Sequence, residues 1–525
     1  MTDLPPPTTA GPLAWRDTLS HHAGGPCPVA VSGAGQSLDW TALLEQVDTL
    51  ATRLVTDGVR CLATLLDNGP AWVVADLAAW QAGAVHLPLP GFFTPAQIGH
   101  ALRASGADAL WCEPRAAAAF AAGASSAAPA TILQVAGSPL AGLRLPGAPV
   151  VMPAGTVKLT FTSGTTGTPK GVCLGAEALL AVADGIGAAT AGLGIGHHLC
   201  ALPLPVLLEN LAGVMAPLRR GARCTVLPLA SLGLTGASGF DPAAFHRQVV
   251  AHEPNSLILL PQMLRAWTHY LGATGQSAPS SLRLVAVGGA AVGERLVDAA
   301  RRVGIPACEG YGLSEGASVQ TLNLPGADRP GSAGRPLPHA RVRVAADGEL
   351  EVAGSLFLGY LGDPTPPPAW WPTGDLGEVD ADGHVWVRGR KKQVLITSYG
   401  RNVSPEWVET ALRGEPAVAQ AVVFGDGQPA LGAVLWPLAA GQDDAATDAA
   451  LAAAVAAANA GLPDYARIVR WVRGRAAFHA DTGLATPNGR PQRAAILALH
   501  ADALQIPAPE GESSAARLLA TSLHP

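Results

Sequence analysis

The sequence predicts an α/β protein: a large multi-layer N-terminal α/β domain followed by a small α+β domain. Three observations carry this. Between about residues 29 and 388, short apolar runs alternate with Ala/Leu-rich stretches of helical length, the pattern of helices layered on sheets. At Gly389-Arg390-Lys391-Lys392 that texture gives way to shorter segments. And 525 residues, 49% hydrophobic and only 14% charged, are enough to bury more than one core and too apolar for a disordered chain.

The elements follow in order. Trp72–Ala82 reads as a helix and leads into a strand at Val85–Leu89. Leu282–Val287 reads as a buried strand ending at Gly288-Gly289. Ala340–Gly354 reads as a β module turning at Asp347-Gly348, and Gly377–Arg388 as a hairpin around Asp382-Gly383. Beyond the Arg-Lys-Lys run, Ser404-Pro405-Glu406 marks a helix start with a hydroxyl cap, Pro at the first position and an acid near the dipole. A hairpin across Val418–Leu435, an Ala-rich helix near 444–460 and a last helix after Arg493 complete the second unit. The expected organisation is 1–389 for the large domain, 390–504 for the small one and 505–525 for a Pro/Ser/Ala-rich tail.

Composition excludes several function classes. A net charge of −6 argues against a general nucleic-acid binder. Seven scattered cysteines without C-x-x-C spacing point to reduced structural thiols, hence a cytoplasmic protein, rather than disulfides or a zinc site. No signal peptide is read at the start, and every long apolar run is interrupted by Pro, Gly or a charge, so no membrane span is expected. Only four of the 34 basic residues are Lys, at 158, 170, 391 and 392, which suggests that Lys is kept where a compact ammonium is wanted.

The densest chemistry lies in a loop after the apolar strand at Leu159-Thr160-Phe161. Thr162, Ser163, Gly164, Thr165, Thr166, Gly167, Thr168 and Pro169 lead to Lys170, which Gly171 follows. Hydroxyls, backbone N–H groups freed by glycine and one ammonium are what a polyphosphate needs. It is not a Walker loop, because neither Ser nor Thr follows the Lys. In Glu309-Gly310-Tyr311-Gly312-Leu313-Ser314-Glu315, an aromatic between glycines can lie against a purine, while Glu315 offers a hard oxygen ligand for Mg²⁺. Asp375, on the Gly-flanked loop Thr373-Gly374-Asp375, can accept hydrogen bonds from both hydroxyls of a ribose; a turn-forming Asp fits the same pattern. Leu202–Gly213, with Val206 and Leu207, is a Leu-rich wall suited to an apolar acyl group. Glu209 within it reads as a solvated helix-end acid.

Together these segments resemble the adenylate-forming (AMP-binding) superfamily, especially its acyl-CoA synthetase and fatty acid–CoA ligase branch, from about residue 37 to 497 and in the family's order. The resemblance implies ATP-dependent activation of an apolar or fatty carboxylic acid to acyl-AMP, then transfer to a thiol, with CoA as first choice. It implies Lys170 and the Thr/Ser/Gly loop at the phosphates, Glu315 on Mg²⁺, and the Glu309–Ser314 segment with Gly289 and Ala290 around the nucleotide. Gly288 would border the acyl pocket, Asp375 and Arg390 would hold the ribose, and Lys392 would be the hinge of a mobile C-terminal lid. Gly400 and Arg401 would then belong to the loop that passes the pantetheine arm. Two departures stand out. Arg490, in Thr486-Pro487-Asn488-Gly489-Arg490, occupies the position of the family's catalytic Lys, and the aromatic-His pair common at Pro205-Val206 is absent. No carrier-protein signature is present in the chain. The alternatives are a ligase that loads an acyl carrier protein and a nucleotide-binding paralogue of low turnover.

Overall fold

The computed structural model describes residues 14–121, 131–162, 170–236, 239–363, 365–398, 401–438, 444–486 and 489–504. Two large sheets dominate the N-terminal domain. The nine-stranded sheet has a parallel core in which Ala307–Leu313, Leu284–Val287, Ser256–Leu259, His197–Cys200 and Arg223–Val226 lie side by side. The eight-stranded sheet centres on the parallel strands Val85–Pro88, Cys61–Leu65 and Ala109–Cys112. Strands such as Ala109–Cys112 and Ser256–Leu259 are buried at every position, as expected when both faces of a parallel sheet are covered.

The helix Pro70–Gln81 explains how the two sheets are held. It begins at Pro after Gly69, is apolar except at Asp76 and its last residue Gln81, and is buried from Pro70 through Trp80. It packs on strands of both large sheets. Asp76 pairs with Lys158 Nζ at 2.8 Å and His86 Nδ1 at 2.5 Å, and accepts from Asn210 Nδ2 at 2.9 Å. A buried carboxylate is tolerable only when paired and hydrogen-bonded in this way. Asn210 belongs to a π-helical stretch, Glu209–Met215, that precedes the short helix Ala216–Arg219.

The third layer is an antiparallel four-stranded sheet of Ala340–Val344, Glu349–Gly354, Trp371–Val379 and Val385–Arg390. Its turns fall at Asp347-Gly348 and Asp382-Gly383, where each glycine has φ +83°. The smaller C-terminal domain has its own core, with Val408, Leu412, Val423, Leu435 and Leu451 in contact. Its sheet joins Val418–Phe424, Leu431–Pro437 and Ile468–Arg473, flanked by helices Pro405–Arg413, Asp444–Ala460 and Arg493–Leu504. Contacts that tie it to the large domain include an Arg295–Glu415 ion pair, and Arg265 Nη1 donating to the Val418 carbonyl at 2.7 Å.

One local expectation is corrected. Ser404 sits at the cap position of Pro405–Arg413, but its hydroxyl makes no capping hydrogen bond and has no partner. It is packed instead on Gly389 (φ +140°), where an added Cβ would lie 1.8 Å from Ser404 Oγ. Close approach of two chain segments won over capping. All seven cysteines are free thiols, and all but Cys27 are buried. No described helix is long and apolar enough to cross a membrane.

Candidate functional site

A cavity of about 1490 Å³ opens at the carboxyl ends of the parallel strands, between the nine-stranded sheet, the four-stranded sheet and the C-terminal domain. The ends of parallel strands are where open α/β sheets bind ligands, because the chain leaves each strand there in a loop free to vary. Three groups of side chains meet at this cavity.

The first is built by a strand pair and a strand end. Asp375 and Arg390 are direct cross-strand partners, with Arg390 Nε 2.9 Å from Asp375 Oδ1. Tyr311 Oη donates to Asp375 Oδ2 at 2.7 Å. Burial pushes the Asp375 carboxyl up, and Arg390 and the Tyr311 hydroxyl pull it down. Each carboxylate oxygen thus has one partner and keeps acceptor capacity for a diol. Gly312 lies so close to the neighbouring strand that a Cβ would sit 2.2 Å from the Ser318 carbonyl oxygen. Gly288, Gly289, Ala290, Gly310 and Ser314 also line the cavity.

Glu309 lies just inside this group. Its Oε1 accepts from the Val292 N–H at 3.0 Å, so it holds the loop after the strand Leu284–Val287, while Oε2 has no partner. Burial pushes its carboxyl up to about 7 against the two loop N–H groups of Val292 and Gly293. Its evident structural work is to hold that loop, a reading the motif did not convey.

The second group is Glu315, Tyr360 and Lys170. Tyr360 Oη donates to Glu315 Oε1 at 2.8 Å, and Lys170 Nζ stands 5.2 Å from the centre of the Tyr360 ring. Tyr360 in turn packs edge-on to Phe357, which fixes its ring. Sequence reading missed Tyr360; the only signal was an aromatic after Gly359. Glu315 fits a hard divalent cation, because one carboxylate oxygen is engaged by a neutral hydroxyl and the group lines the cavity. Of the phosphate loop, Ser163, Gly164, Thr165, Thr166 and Gly167 lie outside the described residues. Thr162 ends the strand Thr156–Thr162, opposite Lys170.

The third group comes from the C-terminal domain. Arg490, Glu406, Lys392 and Arg493 reach the cavity. Burial lowers the basicity of Arg490, as does the neighbouring Arg390, while Glu406 and Asp375 oppose that. Arg493 pairs with Glu409 at 2.7 Å and so orders the helix that carries Glu406. Arg401 does not line the cavity, and Gly400 lies outside the described residues. Of the two arginines, Arg490 borders the cavity and Arg401 does not.

Val206 and Leu207 line the cavity as expected, with Ile186, Ala212, Ala216 and Leu284. Glu209 does not behave as expected. It is fully buried, with Oε1 3.2 Å from His198 Nε2. The π-helical register turns both Glu209 and Asn210 inward, and an apolar sequence on every side hid this from periodicity.

The sequence matches the model of the AMP-binding enzyme family over residues 19–361 and that of the AMP-binding enzyme C-terminal domain over residues 392–505. It is 28% identical over 454 residues to a long-chain-fatty-acid–CoA ligase of Mycobacterium bovis, covering 69% of this chain and 70% of that one. It is 32% identical over 457 residues to a feruloyl-CoA synthase of Amycolatopsis sp, covering 80% and 86%. The structure superposes on an anthranilate CoA ligase crystallised with anthranoyl-AMP at a TM-score of 0.73 and 19% identity, covering 94% and 97%.

Proposed function

The chain belongs to the AMP-binding enzyme family and is an AMP-forming acid–thiol ligase; from that premise we propose how its own residues divide the work and which acids it takes. The observation that carries the reading is one cavity in which Tyr311, Asp375 and Arg390 face Lys170, Tyr360 and Glu315, with an apolar wall beyond. ATP binds with its ribose on Asp375 and Arg390, its base along Tyr311 and the Gly288–Ala290 segment, and its phosphates toward Lys170. Mg²⁺ arriving with ATP would be held by Glu315, and it supplies charge neutralisation at the phosphates. The acid lies with its carboxylate near Gly288 and its acyl group along Val206, Leu207 and Ala212. An apolar or fatty acid suits that wall.

Attack of the carboxylate on the α-phosphate gives acyl-AMP and pyrophosphate. The protein supplies position and charge rather than covalent chemistry: Lys170 and Arg490 bring cations to the oxygens where charge accumulates, inside a partly closed site. The lid then turns about Lys392, Arg490 leaves, and the Gly400–Arg401 loop comes in to pass a thiol, most simply that of CoA. The boundary between the two moving parts falls at 389/390.

Carboxylate-dependent exchange of labelled pyrophosphate into ATP tests the first half-reaction. Lys170→Ala and Glu315→Ala each lower it by about 100-fold or more. Gly400→Leu spares exchange and slows thioester formation. ATP binding without exchange across a broad panel of acids would leave the low-turnover paralogue as the answer. Capture of the adenylate by a carrier protein and not by CoA would change the acceptor.

A further inference from the structure

One polar chain interrupts the apolar end of the cavity. Ser256 and His198 both line it, on adjacent parallel strands where they are direct register partners. Ser256 Oγ lies 2.8 Å from His198 Nδ1, and His198 Nε2 lies 3.2 Å from Glu209 Oε1. His198 is 2% exposed, Ser256 4% and Glu209 0%, and Glu209 Oε2 has no hydrogen-bond partner. Around them the cavity wall is Ile186, Ala212, Ala216, Leu284 and Ala286.

Polar groups buried among apolar ones cost free energy unless they are hydrogen-bonded, and Glu209 Oε2 is left without a partner. An apolar wall would be satisfied by a Val or Leu at each position. Both ring nitrogens of His198 are spent inside the chain of contacts, so Ser256 is its terminus toward the cavity. If Nδ1 accepts, the Ser256 hydroxyl proton points inward and its remaining lone pair faces the ligand. If the proton runs the other way, from Glu209 through His198, the Ser256 hydroxyl donates into the cavity. Either direction serves an oxygen on the acid: an alcohol or phenol in one case, a carbonyl in the other.

The register also sets the depth. Ser256 pairs with Leu284, and Leu284 and Ala286 point to the same face on the strand that ends before Gly288. From Leu284 to Gly288 is four residues, or about 13 Å of strand. We infer that the Ser256–His198–Glu209 chain is a specificity device that recognises an oxygen carried on the acyl group, about 13 Å from the carboxylate. The inference rests on the acyl site described above. It narrows an otherwise apolar pocket to acids with a hydroxyl or keto group at that depth. Cys200 lies close enough to His198 and Glu209 to suggest a cation site instead, and the experiment separates the two readings.

The test compares kcat/KM in the exchange assay within two matched pairs of acids. One pair is a straight-chain fatty acid with and without a hydroxyl or keto group at about the tenth carbon. The other is a phenylalkanoic acid with a chain long enough to put a para hydroxyl at that same depth, with and without the hydroxyl, and the two pairs tell an aliphatic source of the oxygen from an aromatic one. The wild-type enzyme prefers the oxygenated member of at least one pair by ~10-fold or more, the size of one buried hydrogen bond. Ser256→Ala brings that ratio close to one, and Ser256→Cys, similar in volume but a weaker hydrogen-bonding partner, gives an intermediate ratio. Equal rates within both pairs in the wild type would overturn the inference without any variant having to fold. So would a preference that survives Ser256→Ala, or stoichiometric zinc that is lost on Glu209→Gln. Unsubstituted acids driving exchange with no preference would sink only this inference, whereas silence with every acid would sink the ligase reading beneath it.

Discussion

Arg490 holds a position where relatives of this kind were expected to have Lys, and its surroundings suggest why a guanidinium suits it. It shares the cavity with Arg390, and burial and that like charge both work against a proton on its side chain. A guanidinium survives this because its ordinary pKa is above 12, whereas an ammonium starts near 10.4. Arg490→Ala should lower pyrophosphate exchange by ~100- to 1000-fold. Arg490→Lys should retain much more activity at neutral pH and show an alkaline loss absent from the wild type, as the depressed ammonium deprotonates. Matching alkaline profiles for the two proteins would count against that account. Glu309 poses the opposite problem. The folded chain holds its proton up to about 7, whereas an unfolded chain releases it near ~4.3. The folded state therefore binds more protons across that window. Stability contributed below the lower value is lost as pH rises through the upper one, on the order of 3 kcal/mol. Glu309→Gln should flatten the fall in unfolding midpoint between about pH 4.5 and 7; an unchanged slope would mean that other groups set it.

Elements, rather than residues, explain which parts of the site could be read in advance. The Tyr311, Glu315, Asp375 and Arg390 segments were recognisable because each is a short contiguous run whose residue types are chemically unusual together. Tyr360 and the Ser256–His198–Glu209 chain escaped because they exist only through strand register and through a π-helical turn, neither of which leaves a mark in linear order. The α/β class was readable from alternation, while the capping role of Ser404 was overridden by close packing on Gly389. The same π-helical stretch also carries Asn210 into the Asp76–Lys158–His86 network, so one element serves two buried polar groups. Lys158 lies on the strand that ends at Thr162, before the phosphate loop. Its carboxylate partner, Asp76, is driven up by burial but held well below the usual range by Lys158 and His86. Removing the amine while keeping the bulk, as in Lys158→Met, leaves the buried Asp76 carboxylate without its ammonium partner and should cost ~3–5 kcal/mol in denaturant unfolding. An unshifted midpoint would show that His86 protonates and replaces it without loss.

At the scale of the whole molecule, the side chains that border the cavity come from both domains. Asp375, Tyr311, Glu315 and Lys170 come from the large domain and Arg490 and Glu406 from the small one, joined across a cavity rather than a continuous core. The contacts that dock the two include Arg295–Glu415, Arg265 to the Val418 carbonyl and the packing of Ser404 on Gly389. A cavity larger than most small-molecule pockets (roughly 300–1,000 Å³) accommodates a nucleotide and an acid together.

The scarcity of lysine gives this architecture an unplanned optical handle. Of the four ammonium groups, Lys158 is sealed inside, while Lys170, Lys391 and Lys392 all border the cavity. Lys391 is tied to Asp347 and Glu349. An amine-reactive fluorophore applied to the native enzyme should therefore modify side chains at the cavity and nowhere else among the lysines, and ATP should shield Lys170 first. Peptide mapping of the labelled protein, with and without nucleotide, would turn a compositional accident into a direct readout of site occupancy.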